Sequence, residues 1–218
     1  MTEAVVFDLD GTLMDTLYDL YVAVNRALEY GGMKSVDMEK VRLSVGNGVQ
    51  MLVRRCMPPD GEQKFASVME RFNYEYARCK DDHTAPYAGA KTTMQKLKQS
   101  GIKIAVVSNK TESAVKALCK ENFAGLYDVA VGDNGVRRLK PSPEPVEYAL
   151  SVLKADKSRS FYVGDQEVDV LTAKNSGLKL IGAGWGFRGR AALEAAGAPV
   201  VCDDFDELYE IVTKNNAN

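Results

Sequence analysis

From Gly89 onward the chain alternates short apolar runs with stretches of helical periodicity, and this alternation restricts its fold more than any other feature. The runs IKIAVVSN, DVAVGD, FYVGD, LKLIGAG and PVVCDD are separated by TESAVKALCKENF, PEPVEYALSVLKA, VDVLTAKNSG and AALEAAG, and DELYEIVTK closes the series. Unbroken apolar runs belong to strands buried on both faces, so the pattern predicts an α/β fold: three layers, with a mainly parallel sheet between helices. AVVFD at the start has the same buried-strand character.

The stretch after that first strand is different. From Thr16 to about Lys80 there is no convincing strand. Leu17, Leu20, Val24 and Leu28 repeat at helical spacing up to Gly31-Gly32, and so do Phe65, Met69, Phe72, Tyr76 and Cys79. Shorter helices over about 36–45 and 49–56 flank Gly46-Asn47-Gly48, and Pro58-Pro59-Asp60-Gly61 makes the next turn. Such a stripe of Met and aromatic residues reads as the core of a bundle, not as a cofactor box. The expected organisation is a catalytic core of residues 1–15 and 83–218, with a helical unit of residues 16–82 inserted between hinges near Asp15 and near His83–Pro86. Ligands of open α/β sheets sit beyond the carboxyl ends of the strands. Those ends are Asp8, Ser108-Asn109, Asp133-Asn134 and Asp165, with Lys140 just downstream of the third. An insert leaving directly after the first of them is placed as a lid.

Four aspartates stand at two of these ends: Asp8 and Asp10 in VVFDLDGTLMDT, Asp165 and Asp169 in FYVGDQEVD. Each has a purely structural reading. Asp10-Gly11 suits a tight turn, Asp15-Thr16 a helix N-cap, Asp165 a strand-to-helix turn, and Asp169 the first turn of a helix. Together, on one side of one sheet, they are harder to explain as packing. Two carboxylates about 4 Å apart repel by about 4 kcal/mol at an effective dielectric near 20, comparable with much of a domain's stability. A cation between them resolves the conflict, and an all-oxygen site of few carboxylates suits Mg²⁺.

Composition excludes several other classes. At 218 residues and 45% hydrophobic content the chain buries a full core. A net charge of -2 gives no field for nucleic acid or an anionic membrane, and no apolar run approaches the length of a membrane span. His83 is the single histidine, which rules out zinc sites built on several imidazoles, and no G-x-S-x-G elbow accompanies it. Cys56, Cys79, Cys119 and Cys202 form no C-x-x-C pair, and the first strand begins at the fourth residue. Reduced thiols and a cytoplasmic protein, monomeric or weakly homodimeric, are expected.

DLDGTLMDT, VVSNK, LKPSPEP and GDQEVD, in this order and at these separations, resemble the motifs of the haloacid-dehalogenase superfamily of phosphohydrolases. The resemblance covers the whole chain and implies a Rossmann-like core with a small α-helical cap. VRLSVGNGVQMLVRR within the insert is similar to phosphoglycolate phosphatases in particular. Carried onto this chain, the resemblance implies Asp8 as nucleophile and Asp10 as general acid/base. Ser108, with Asn109 beside it, would bond the phosphoryl oxygens, and Lys140 would neutralise them. Asp165 would hold Mg²⁺ with Asp8 and the backbone carbonyl of Asp10, and Asp169 would hold a metal-bound water or orient its neighbours. Read on their own, Lys140 also fits a surface lysine, and Ser108 and Asn109 a helix cap. Gln166 stands where many relatives carry a small serine, which puts the fine geometry of the metal loop in question.

The chemistry suits these residue types: a carboxylate attacks phosphorus, splitting one displacement into two, and a second carboxylate two residues on shares its face in an extended chain. The resemblance also disfavours a carbon-halogen substrate, because the dehalogenase branch of the superfamily lacks that second aspartate. The expected substrate is a small phosphorylated organic acid, 2-phosphoglycolate first, met by backbone N–H groups of Gly46, Asn47 and Gly48 and by Arg54 or Arg55. A sugar-phosphate phosphatase, a pyrophosphatase and a phosphoglucomutase-like transferase remain alternatives within the same chemistry. A reading of a different class also exists. Gly184-Trp185-Gly186-Phe187-Arg188-Gly189 matches G-x-G-x-x-G after a strand, with Asp203 nineteen residues after Gly184, as in a nicotinamide dinucleotide-binding oxidoreductase. Its late position and its short following helix count against it, and it leaves the four aspartates unexplained.

Overall fold

The strand Ala4–Phe7 (β1) is the axis of the molecule's sheet, and none of its four residues is exposed. A computed structural model describes residues 1–79 and 82–214. Lys103–Thr111 (β4) and Ser160–Gly164 (β6) flank β1, Val129–Asp133 (β5) lies outside β4, and Lys179–Ala183 (β7) and Val201–Cys202 (β8) continue beyond β6. The order β5-β4-β1-β6-β7-β8 has every pairing parallel, so the mainly parallel sheet expected from the apolar runs is parallel throughout. After β1 the chain builds outward to β4 and β5, then returns to the other side of β1 for β6. The crevice at such a reversal is where ligands of doubly wound sheets bind.

Residues of alternate parity face opposite layers. Ala4, Val6, Ala105, Val107 and Tyr162 form one face and pack with Val146, Ala149, Leu150 and Leu153 of helix Glu144–Leu153 (α7) and Ala173 of helix Glu167–Ser176 (α8). Val5 and Phe7 point to the other face. Helices Glu112–Asn122 (α6), Gly189–Ala195 (α9) and Phe205–Lys214 (α10) follow the strands as their patterns predict. Helix Ala90–Gln99 (α5) adds to the elements read from the sequence: its buried stripe, Ala90, Thr93, Met94 and Leu97, is narrow and weakly apolar.

The chain divides into two compact units, Met1–Leu13 with Pro86–Asn218, and Met14–Ala85. Within the second, Leu17–Tyr30 (α1) and Phe65–Cys79 (α4) pack through Leu20, Val24, Leu28, Val68 and Phe72, joined by Met38–Ser44 (α2) and Val49–Cys56 (α3). Glu75 is buried in this unit and paired with Arg26 and Arg71. Asp19 Oδ2 accepts from the backbone of His83 and from the backbone and hydroxyl of Thr84, so the lone histidine serves a loop anchor. Two very short strands that the apolar pattern does not announce, Met14–Asp15 (β2) and Ala85–Pro86 (β3), form a separate ribbon. All four cysteines are buried and free. No helix among the described residues is long and apolar enough to cross a membrane.

Candidate active site

Phe7 lies level with Val106 on one side and Val163 on the other, so Asp8 and Asp165, just past β1 and β6, and Ser108, within β4, come to one edge of the sheet. Asp8 is held first by its own backbone: Oδ1 accepts from the N–H of Leu9 at 2.7 Å. The same oxygen lies 2.8 Å from Lys140 Nζ, which is also 2.8 Å from Asp169 Oδ1. The Tyr162 hydroxyl completes this buried group, donating to Asp169 Oδ1 at 2.9 Å and accepting from Lys140 at 3.1 Å. Lys140 is no surface lysine, since its side chain is 1% exposed.

Asp165 is enclosed from two directions. Thr12 donates to Oδ1 and the N–H of Phe187 to Oδ2, both at 2.8 Å. Gly11 has φ +86°, and a Cβ there would stand 2.3 Å from Asp165 Oδ2; one on Gly186 would stand 2.2 Å from Asp165 Cβ. These glycines are required because backbone closes directly on the carboxylate. Within the G-x-G-x-x-G run Gly186 thereby backs Asp165, while Gly184 lies against Cys202 and Asp203. Asp203, the acid that a ribose would need, is paired with Arg190 at 2.8 Å, so the dinucleotide reading has no support.

Carboxylate oxygens of Asp8, Asp165 and Asp169 lie within 4.8 Å of one another. Burial pushes the Asp8 carboxyl up to about 7, with the charge of Asp169 adding and Lys140 opposing. Burial, then Asp169 and Asp8, likewise raise Asp165 well above the carboxylate range. Burial works against the charge of Lys140, but Asp169 and Asp8 outweigh it and hold the ammonium protonated. At this edge the buried side chains are four carboxylates, Asp8, Asp10, Asp165 and Asp169, and two ammonium groups, Lys110 and Lys140. Fully ionised they would carry four negative charges against two positive, an excess that one divalent cation would balance, and its charge would oppose the burial that raises Asp8 and Asp165. The donor set is all oxygen and fits such an ion.

The four aspartates do not contribute alike. Each oxygen of Asp169 already takes two donors: Lys140 and Tyr162 at Oδ1, the N–H groups of Asp165 and Gln166 at Oδ2. A carboxylate oxygen has about two acceptor sites, so Asp169 is filled by these donors, and Asp8 and Asp165 could serve as the direct donors to a metal. Asp10, expected among the ligands through its backbone carbonyl, keeps its side chain outside the cluster of three, where it accepts from Lys110 Nζ at 2.9 Å. Any metal role of Asp10 therefore falls to its backbone carbonyl. Asn109 spends its amide on the backbone of Lys140, donating to its carbonyl at 3.0 Å and accepting from its N–H at 2.8 Å. It positions the lysine. Ser108 is buried within β4 and accepts from the Lys110 N–H at 3.2 Å.

Lys110, Tyr162 and Thr12 were not expected at the site. Lys110 stands two residues after Ser108, but the register of β4 shifts between Val107 and Thr111, so simple alternation does not place its side chain. Tyr162 had no readable signal, being one apolar residue within an apolar run. In the helical unit, Arg55 donates to the Ser44 carbonyl at 3.1 Å and to Asn47 Oδ1 at 2.7 Å, fastening the Gly46–Gly48 loop. Arg54 is neutralised by Glu62 at 3.1 Å and lies over the Phe65 ring.

The profile of the haloacid dehalogenase-like hydrolase family matches residues 5–183. A phosphoglycolate phosphatase of Pseudomonas fluorescens is 35% identical over 209 residues, 90% of this chain and 75% of that protein. Another, of Vibrio parahaemolyticus, is 31% identical over 95% of both chains. A crystal structure from Lactobacillus delbrueckii subsp. bulgaricus, provisionally described as a phosphoglycolate phosphatase, superposes with a TM-score of 0.91 at 32% identity, covering 97% of this chain and 99% of its own. With its aspartates gathered at the edge of a doubly wound parallel sheet, the chain belongs to the haloacid dehalogenase-like hydrolases.

Proposed function

We propose that this protein is a Mg²⁺-dependent phosphatase that hydrolyses a small phosphorylated organic acid, 2-phosphoglycolate, through an aspartyl phosphate. The observation that carries the reading is a buried carboxylate, Asp8, sharing one lysine with Asp169 at 2.8 Å while lying within 4.8 Å of Asp165. The names of the curated relatives support the substrate.

Asp8 is the nucleophile, its carboxylate fixed by Lys140 and by the N–H of Leu9. In the first half-reaction an Asp8 oxygen bonds to phosphorus, the ester bond breaks, and Asp10 gives its proton to the leaving alkoxide. In the second, Asp10 takes a proton from water, which attacks phosphorus and returns Asp8 as a carboxylate. Lys140, with Ser108, meets the negative charge of the transferred group. Asp8 and Asp165, with the carbonyl of Asp10, would hold a magnesium ion, which would supply further positive charge at the phosphoryl oxygens.

Choice of substrate is assigned to the inserted helical unit, acting as a cap. Of its two arginines Arg55 is the better match for a substrate carboxylate: its partners Ser44 and Asn47 are neutral, whereas Arg54 is already compensated by Glu62. The free thiols suit a reducing, cytoplasmic setting. Phosphate release from a panel of phosphorylated metabolites, with Mg²⁺ and with chelator, tests the proposal. 2-Phosphoglycolate is expected to lead the panel, and Asp8→Asn to abolish turnover while its circular dichroism matches the parent. Normal turnover by Asp8→Asn, or transfer of the phosphoryl group to a sugar without phosphate release, refutes it. Arg55→Ala is expected to narrow the preference for phosphoglycolate over a neutral sugar phosphate, with Arg54→Ala changing it less.

A further inference from the structure

Lys110 is a buried cation that the proposed mechanism does not use. Its side chain is 4% exposed, and burying an ammonium costs energy that an apolar side chain at the same place would not. Such a lysine is retained where it has a partner to serve. Its partner here is Asp10, whose Oδ1 accepts from Nζ at 2.9 Å. Lys140 lies against Asp8 and Asp169, so the two buried lysines divide the carboxylates between them.

We infer that Lys110 is a positioning residue for Asp10, holding its carboxylate in place through both half-reactions. The inference rests on the reading of Asp10 as the general acid/base. Two features make such a hold necessary. Asp10 precedes Gly11, whose φ of +86° turns the backbone sharply, so the strand no longer aims the side chain. The carboxylate also works twice, giving a proton to the alkoxide and later taking one from water, and a small displacement costs heavily in either step. Lys110 is delivered by β4, the strand paired directly with β1, whose register against β5 shifts between Val107 and Thr111.

The test compares Lys110→Met, Lys110→Arg, Asp10→Asn and the double variant Asp10→Asn/Lys110→Met, on 2-phosphoglycolate and on p-nitrophenyl phosphate. The alkoxide of the first needs a proton to leave; nitrophenolate does not. Lys110→Met is expected to lower kcat on 2-phosphoglycolate by about 10- to 100-fold, a part of what general acid–base catalysis supplies, with KM changed less than about threefold. With p-nitrophenyl phosphate the first half survives and the second slows, so a burst of nitrophenolate stoichiometric with enzyme precedes a slow steady state. Lys110→Arg, which keeps the charge and the donor, is expected to recover most of kcat. The double variant is expected to be no slower than Asp10→Asn, because residues that act as a unit are not additive.

The inference is overturned if Lys110→Met keeps kcat within about twofold of the parent, if the loss falls on KM alone, or if the two substitutions multiply. A fully active Asp10→Asn overturns the acid/base reading itself, and the role of Lys110 with it. A crippled Asp10→Asn beside an unaffected Lys110→Met removes only the inference. Folding is checked by circular dichroism and Trp185 fluorescence; should Lys110→Met fail to fold, Lys110→Gln takes its place with the same outcomes.

Discussion

Lys140→Met removes the cation that two buried carboxylates share, and its cost follows from the distances. At 2.8 Å and an effective dielectric near 20, each contact, to Asp8 and to Asp169, represents a gross attraction of about 6 kcal/mol. Much of this offsets the desolvation of the ammonium, so the loss expected on breaking the group is the 3–5 kcal/mol typical of buried pairs, roughly 6–20 °C in Tm at this chain length. Urea unfolding at pH 7 with chelator, followed by Trp185, isolates the effect. That residue is the single tryptophan and lies beside the site, its indole N–H donating to the Thr12 carbonyl at 2.9 Å. The decisive comparison is Asp8→Asn in the Lys140→Met background. Carboxylate oxygens of Asp8 and Asp169 lie within 4.8 Å, and without the lysine that opposes the rise the Asp8 carboxyl climbs above about 7 and takes up a proton, so Asp8→Asn is expected to cost no further stability in that background. If Lys140→Met stays within about 1 kcal/mol of the parent, or if Asp8→Asn lowers stability further in that background, the charge argument for the site is wrong.

Gly186→Ala puts a methyl group 2.2 Å from Asp165 Cβ and 2.5 Å from the Gly11 carbonyl oxygen. Displacement of Asp165 is expected to reduce turnover at least about 100-fold at a stability cost of about 1–3 kcal/mol, read from kinetics and urea unfolding side by side. Burial, with the nearby charges of Asp10 and Glu207 respectively, pushes the Cys119 and Cys202 thiols up to about 12. Both are expected to resist a thiol reagent at pH 8 in the native protein and to react once it is unfolded. Their ordinary value is 9.0, so between there and about 12 the unfolded chain releases protons that the native chain keeps. Stability should therefore fall as pH rises through that window, by about 1.4 kcal/mol per unit for each thiol, measured as urea midpoints in parent and Cys119→Ala.

Local pattern determined much of this molecule. Strands buried on both faces must be apolar throughout and helices packed on one face must repeat near every 3.6 residues, so VVF, IKIAVV and FYVG, and the stripes of α1 and α4, were readable as they stand. The four aspartates were readable too, because a carboxylate at the end of an apolar strand has no place in the core. Tertiary structure alone decided how those charges are shared. Asp169 and Asp165 look equivalent in the motif, yet four donors from Lys140, Tyr162 and two backbone amides occupy the first, while the second is enclosed by Thr12, Phe187 and glycine backbone. Asn109 met the backbone of Lys140, and Lys110 met Asp10 across 100 positions of sequence. Hydrogen bonds and ion pairs act over about 3 Å, a scale that sequence periodicity does not encode between separate strands. How many donors each carboxylate meets is decided where those strands come together.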